Sequence, residues 1–221
     1  MLAEAVGVAI VVTGAGALAA RGPPDDYDWA TLRRAQGRLW LLVAGLLAWL
    51  FVAEGAGLGS LALPPVGEFG PSAALAFVAL GLTGIVSGLV MRQTGRGIDP
   101  STRALLELPK RRSLALVVAT GVAEELVFRG YLVTRVAALS GSEVAAVAVS
   151  AAAFAAVRSG GRDRAQIAQV AVLGVVIGAA FAYTGNLLAV VAARVFYDAL
   201  TVFSADPDEL PDATADDLPN E

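Results

Sequence analysis

The chain of 221 residues is 57% hydrophobic and 16% charged, with a mean hydropathy of +0.68 and a formal net charge of −4. A soluble domain normally has about a quarter charged residues, so this composition predicts a membrane protein. The chain contains no cysteine and no histidine, which excludes disulfides, a cysteine nucleophile and the commonest proton shuttle and metal ligand. We expect membrane lipid as its surroundings and no cofactor, bound metal or nucleic-acid partner.

Seven apolar segments predict the fold class. Each has close to the about 20 residues that a membrane-spanning helix needs, although the fifth is short. Helices are expected because every backbone polar group must be satisfied inside the bilayer. The sequence therefore predicts an all-α, polytopic membrane bundle of about seven transmembrane helices. The segments are residues 2–20, 39–58, 73–91, 114–138, 143–157, 165–183 and 186–203.

The connections between these segments predict their orientation. Every second connection is basic, and these connections together hold thirteen basic residues, whereas the connections between them hold none. Basic connections normally face the cytoplasm. We therefore expect the N-terminus outside the cell membrane and the C-terminus in the cytoplasm. Glu54 and Arg135, near the outer ends of their segments, are expected to be structural, with charged groups that reach the outer surface. The basic connections are 21–38, 92–113 and 158–164, and those without basic residues are 59–72, 139–142 and 184–185.

The C-terminal residues differ in composition from the rest of the chain. Residues 204–221 hold seven acidic residues and no basic one, and such a segment cannot bury enough apolar surface to order itself. We expect a single transmembrane domain over residues 1–203 and a disordered acidic cytoplasmic tail over 204–221. Residues 25–40 and 99–113 form amphipathic pieces that are either connecting helices or helices on the membrane surface.

Ionisable residues inside the predicted spans are the main functional signal, because each costs roughly 2.5–3.5 kcal/mol at mid-bilayer on insertion scales. A rise of 1.5 Å per residue places Glu124 about 15 Å from the cytoplasmic end of its segment. Arg194 and Asp198 lie about 12 and 18 Å from the outer end of theirs, so groups distant in sequence share one depth. With Glu4, Arg135 and Glu143 near segment ends set aside, the ionisable residues are Glu54, Glu124, Glu125, Arg129, Arg158, Arg194 and Asp198.

The spacing of these charges predicts how they pair. Residues at i and i+4 share a helix face, whereas Glu124 points about 100° away from Glu125 and needs a partner from another helix. Arg158 and Arg194 are the candidates. Three acidic residues then balance three arginines, which fits a neutral ion-pair cluster, a catalytic carboxylate or an ion or substrate pathway. The two i,i+4 pairs are Glu125 with Arg129 and Arg194 with Asp198.

Three short motifs resemble those of one protease family. EELVFRGYL (124–132) resembles EExxFRG, the first motif of the CPBP group of intramembrane proteases, also described as CAAX-protease relatives. FAAVR (154–158) and RVFYD (194–198) are similar to its later motifs Phe-x-x-x-His and His-x-x-x-Asn/Asp, with arginine in place of each histidine. The resemblance covers about residues 73–203. It implies an intramembrane endopeptidase that hydrolyses membrane-associated, CAAX-like peptides or proteins.

The resemblance also implies a role for each site residue. Glu124 would be the general base that activates water, with Arg158 where the family's helper histidine stands. Arg194 and Asp198 would hold the oxyanion. The remaining site residues are the supporting pair Glu125 and Arg129, and Phe154 at the start of the second motif.

Arginine in place of histidine opens a second interpretation. A guanidinium stays protonated, so it can donate hydrogen bonds to an oxyanion but cannot accept a proton. The alternative to the protease is therefore a catalytically inactive pseudoprotease that acts as a membrane scaffold or as a peptide or lipid binder. A small transporter or channel component is a third hypothesis, against which the balanced charges argue.

Overall fold

The computed structural model describes residues 1–20, 24, 27–63, 69–94, 99–160 and 162–204, with the backbone alone described at 90–94. These residues form helices and turns and no strand, which confirms the all-α fold class. The predicted acidic tail lies outside the described residues apart from Ser204.

The described residues in the first half of the bundle form four helices and one short 3-10 turn. The helices are α1 (Leu2–Ala19), α2 (Trp29–Val52), α3 (Phe69–Thr94) and α4 (Pro100–Glu107), and the 3-10 turn is Leu58–Leu61.

In the second half, three segments follow one another without a break and form one long helix over residues 110–140, called the central helix below. After it, the described part of the chain forms three further helices. The elements are α5 (Lys110–Glu125), a π-helical segment (Leu126–Val133), α6 (Thr134–Ser140), α7 (Glu143–Val157), α8 (Arg164–Thr184) and α9 (Leu187–Ser204).

Five of the described helices are long and apolar enough to cross a membrane: α1, α2, α3 over Phe69–Leu89, α8 and α9. Helix α7 is apolar but has 15 residues. Large apolar side chains point out of the bundle, for example Leu41 at 74% and Val52 at 85% exposed, as contact with lipid tails requires. The expected total of seven spans and the orientation of the chain stay predictions.

Helix α2 differs from the predicted span 39–58, because it begins at Trp29 and ends at Val52. Its start is set by Asp28, whose carboxylate accepts a hydrogen bond from the Thr31 N–H at 2.7 Å. Its end precedes Gly55, which has a φ of +63° that favours glycine. The amphipathic piece predicted over 25–40 is thus mostly the first half of this helix.

Helices α7, α8 and α9 pack closely with the central helix or with one another. Helix α5 lies against α9, the π-helical segment lies against α7, and α7 also packs on α8. Gly121 allows α5 and α9 to pack closely, since a Cβ there would come within 3.2 Å of Val195 Cγ2 on α9. Charged residues on α5, α7 and α9 are thereby brought to one place in the interior.

Glu54 and Arg135 do not reach the outer surface, and that expectation is wrong. Their side chains are 2% and 7% exposed and form an ion pair with Arg135 Nε 2.7 Å from Glu54 Oε2. The Tyr131 hydroxyl donates to Glu54 Oε1 at 2.5 Å, and Arg135 also donates to the Ser60 carbonyl at 3.0 Å. Because each charge finds a partner inside the bundle, neither needs water.

Candidate active site

The motif EELVFRG lies where the central helix changes from α-helix to π-helix. Helix α5 ends at Glu125, and the π-helical segment runs over Leu126–Val133. π-Helical turns are rare in proteins, and those that occur are often located at functional sites. The hydrophobic pattern indicated a helix here but contained no signal for its hydrogen-bonding type, so the sequence interpretation missed this feature.

Both carboxylate oxygens of Glu124 are bound by arginine. Arg158, at the end of α7, donates from Nε to Oε1 at 2.9 Å and from Nη2 to Oε2 at 2.5 Å. Arg194 of α9 places Nη2 3.9 Å from Oε2. The Glu124 side chain is 6% exposed and that of Arg158 is 24% exposed. The predicted pairing of Glu124 with arginines from other helices is confirmed, and the guanidinium of Arg158 covers the carboxylate.

Arg194 is held by a second carboxylate on its own helix. Its Nε donates to Asp198 Oδ2 at 2.8 Å, as the i,i+4 spacing predicted. The Arg194 side chain is 3% exposed. Its Nη1 atom is buried and lacks a hydrogen-bond partner in the described part of the chain. This atom is a donor that a bound carbonyl oxygen or water would satisfy.

Glu125 and Arg129 form the most deeply buried ion pair of the site. Arg129 Nη1 lies 3.2 Å from Glu125 Oε1, and both side chains are 0% exposed. Arg129 Nη2 also donates to the Gly174 carbonyl on α8 at 3.2 Å. A Cβ at Gly174 would come within 3.1 Å of Ala151 Cα, so glycine lets α7 and α8 approach closely. The predicted supporting pair is present and ties the central helix to α8.

Phe154 lies between these ion pairs. Its ring is fully buried and makes an edge-to-face contact with Phe128, with centroids 5.4 Å apart. Three guanidinium carbons lie near its centroid: those of Arg129 at 4.8 Å, Arg158 at 5.2 Å and Arg194 at 5.8 Å. Cations are attracted to the ring face at such distances. All seven predicted site residues therefore meet in one cluster, while their chemical roles stay predictions.

Two residues that the sequence interpretation missed extend this cluster towards α4. Arg162 donates from Nη1 to the Arg158 carbonyl at 2.5 Å and from Nη2 to Asp99 Oδ1 at 2.9 Å. Asp99 caps α4 by accepting from the Thr102 N–H at 3.1 Å. The Asp-Pro-Ser-Thr start of α4 could have indicated the cap, but nothing in the sequence indicated its contact with Arg162.

Asp99 gives one expected pH dependence. Burial alone would raise the pKa of Asp99, but the Arg162 guanidinium and hydrogen bonds from Ser101 and Thr102 outweigh burial and hold the pKa below its ordinary value. A carboxyl with a lowered folded-state pKa stabilises the fold above its unfolded pKa of about 3.9, and this contribution is lost as the pH falls through the folded pKa.

We therefore expect Asp99→Asn to lower the melting temperature in detergent micelles at pH 7. The difference from the unsubstituted protein should shrink as the pH falls below the unfolded-state pKa of about 3.9 towards the lower folded-state pKa of Asp99. Asparagine is also a good N-cap, so the start of α4 should be kept. A difference in melting temperature that is the same at pH 7 and pH 3 would contradict the contribution of the charge.

Comparisons with known proteins test the family resemblance of the motifs. Residues 110–200 match the family model described as type II CAAX prenyl endopeptidase Rce1-like. The family resemblance is thereby confirmed. A search among curated proteins and a search among solved structures found no match to the chain. The CAAX-protease match contains every predicted site residue, and with the apolar helices it identifies an integral membrane protein.

The described residues contain no group of three or more Asp, Glu, His or Cys side chains that could hold a metal ion. The carboxylates of Glu124, Glu125 and Asp198 are instead engaged by arginines. The guanidinium groups of the site can stabilise negative charge and donate hydrogen bonds.

Proposed function

We propose that this CAAX-protease-type protein binds membrane-associated peptides at the Glu124 site and does not cleave them by the family's usual reaction. The observation that carries the proposal is the two-point contact between Arg158 and Glu124. A general base needs a free lone pair within hydrogen-bond reach of the attacking water. Arg158 keeps its proton, occupies one lone-pair site on each oxygen of Glu124 and covers a side chain that is 6% exposed, so an attacking water is kept from the carboxylate.

The substrate class follows from the matched family. Its model is named for prenyl endopeptidases, so the proposed ligand is a prenylated, CAAX-like peptide held at a lipid bilayer. The location that we propose is the cell membrane, with the N-terminus outside and the acidic tail in the cytoplasm. Residues 1–203 would form the single transmembrane domain.

A second candidate function is hydrolysis after Arg158 moves away. Two observations favour it: Arg158 has the more exposed side chain of its pair, and Arg194 has a buried donor without a partner among the described residues. In this reaction Glu124 takes a proton from water as the water oxygen attacks the peptide carbonyl carbon. Arg194, oriented by Asp198, donates to the oxyanion. As the oxyanion collapses, the peptide C–N bond breaks and the proton passes from Glu124 to the leaving amine.

One experiment separates these functions. Purified protein in lipid nanodiscs is mixed with a fluorescent farnesylated CAAX-type peptide, with binding followed by anisotropy and cleavage by mass spectrometry. We expect saturable binding, which requires the farnesyl group, and no more cleavage than in Glu124→Gln. The double variant Arg158→His, Arg194→His serves as the comparison in which the family's histidines are present.

Cleavage by the unsubstituted protein that disappears in Glu124→Gln would replace the first function by the second. Absence of both binding and cleavage would overturn both functions. Cleavage by the double histidine variant alone would support the first, because it would show that the arginines are what stops the reaction at an otherwise competent site.

A further inference from the structure

Arg162 connects the end of α7 with the start of α4. Its guanidinium donates to the Arg158 carbonyl at 2.5 Å and to Asp99 Oδ1 at 2.9 Å. The Arg162 and Asp99 side chains are 10% and 14% exposed, so solvent screens their attraction weakly. The pair Arg103 and Glu107 on α4 is a useful contrast, because its side chains are 28% and 57% exposed.

The backbone of Arg158 is held on both sides by this arrangement. Arg158 is the C-cap of α7, where carbonyl groups no longer have partners within the helix. Its N–H donates to the Phe154 carbonyl at 3.2 Å, and its own carbonyl accepts from Arg162. These two hydrogen bonds fix the position of the Arg158 backbone, from which the side chain extends to Glu124.

Asp99, at the other end of the contact, is also held firmly. Its carboxylate accepts from the Ser101 hydroxyl at 2.5 Å, the Thr102 hydroxyl at 2.6 Å and the Thr102 N–H at 3.1 Å. Arg162 therefore binds to the capped end of a helix and not to a second flexible side chain. A continuous series of contacts runs from α4 through Arg162 and Arg158 to Glu124.

We propose that Asp99 and Arg162 are positioning residues that hold Arg158 over Glu124 and so keep the Glu124 carboxylate covered. The proposal rests on the proposed function, in which the contact between Arg158 and Glu124 is what stops Glu124 from acting as a base. An arginine that binds a carboxylate at two points loses much rotamer freedom. Fixing its backbone reduces the number of arrangements that compete with this contact, and in this way we expect the Asp99–Arg162 ion pair to affect a carboxylate inside the bundle.

The test measures how accessible Glu124 is in the full-length protein in nanodiscs. N,N′-Dicyclohexylcarbodiimide enters bilayers and adds to protonated carboxyl groups, whereas a carboxylate paired with arginine is protected. Trypsin releases residues 113–129, whose acidic side chains are Glu124 and Glu125, and fragment ions distinguish the two. The readout is the rate of labelling at Glu124 relative to that at Glu125.

We expect Arg158→Gln, Arg162→Gln and Asp99→Asn each to increase Glu124 labelling several-fold, with Glu125 unchanged. Arg103→Gln is the matched control on α4 and should label like the unsubstituted protein. Arg162→Lys, which keeps the charge but has a single donor group, should fall between Arg162→Gln and the unsubstituted protein. The double variant Asp99→Asn, Arg162→Gln should label no faster than the faster single variant, because both act through one contact.

The melting temperature of each variant is measured in parallel. Loss of stability in Arg162→Gln and Asp99→Asn without faster labelling at Glu124, while Arg158→Gln labels faster, would overturn the positioning role and leave the proposed function standing. Slow labelling in Arg158→Gln would overturn both, because Arg158 would then not be what covers the Glu124 carboxylate.

Discussion

Substitution of Glu125 by alanine is expected to destabilise the protein by about 3–5 kcal/mol, the usual cost of leaving one member of a buried ion pair without its partner. Arg129 would keep its charge and one carbonyl partner on α8, with a side chain that is 0% exposed. The measurement is the free energy of unfolding in mixed micelles, or the yield of folded protein if the variant does not accumulate.

The matched control for this prediction is Glu107→Ala on α4. Its partner Arg103 is partly exposed, so the loss should be about 0–1 kcal/mol. A double variant, Glu125→Leu with Arg129→Met, should recover most of the lost stability because it removes both charges and retains volume. Similar losses for Glu125→Ala and Glu107→Ala would contradict the assigned burial of the pair.

Substitution of Arg158 by glutamine is expected to cost about 2–4 kcal/mol, because it leaves the buried Glu124 carboxylate with weaker compensation. The loss should be smaller than for Glu125→Ala, since Arg194 lies 3.9 Å from Glu124 and Arg158 is itself partly exposed. Chemical unfolding monitored by tryptophan fluorescence in the same micelles gives the comparison.

Neutralisation of both partners should largely cancel this effect. Glu124→Gln with Arg158→Gln should be more stable than Arg158→Gln alone, and the coupling energy from the double-mutant cycle should exceed about 1 kcal/mol. Additive effects of the two substitutions would show that Arg158 stabilises the fold through other contacts, such as that with Phe154.

The composition and the apolar segments were sufficient to predict the fold class, because a bilayer restricts a chain of this kind to helices. They could not predict the boundaries of α2. Its start depends on one capping aspartate, and its end depends on a turn with a left-handed glycine. The π-helical segment was also beyond prediction, since the sequence pattern of an apolar helix does not distinguish i→i+5 from i→i+4 hydrogen bonds.

The site was predictable to the extent that helix geometry determines it. The i,i+4 spacing along one helix was enough to predict the ion pair of Glu125 and Arg129. Equal depth in the membrane was enough to suggest Arg158 as an ion-pair partner of Glu124. Depth does not say which helix ends face each other, so the pairing of Glu54 with Arg135 was missed. Asp99 and Arg162 are 63 residues apart in the sequence and lie outside the helices, so no helical periodicity could have predicted their contact.

The balance of charge around Phe154 has an electrical consequence. Glu124, Glu125 and Asp198 are matched by three arginines that surround the same ring. Moving one elementary charge across a potential of 100 mV involves about 2.3 kcal/mol, but a group with no net charge does no net electrical work when it shifts as a unit. The membrane potential therefore exerts no net force on this cluster when it moves as a unit, although the cluster contains six formal charges.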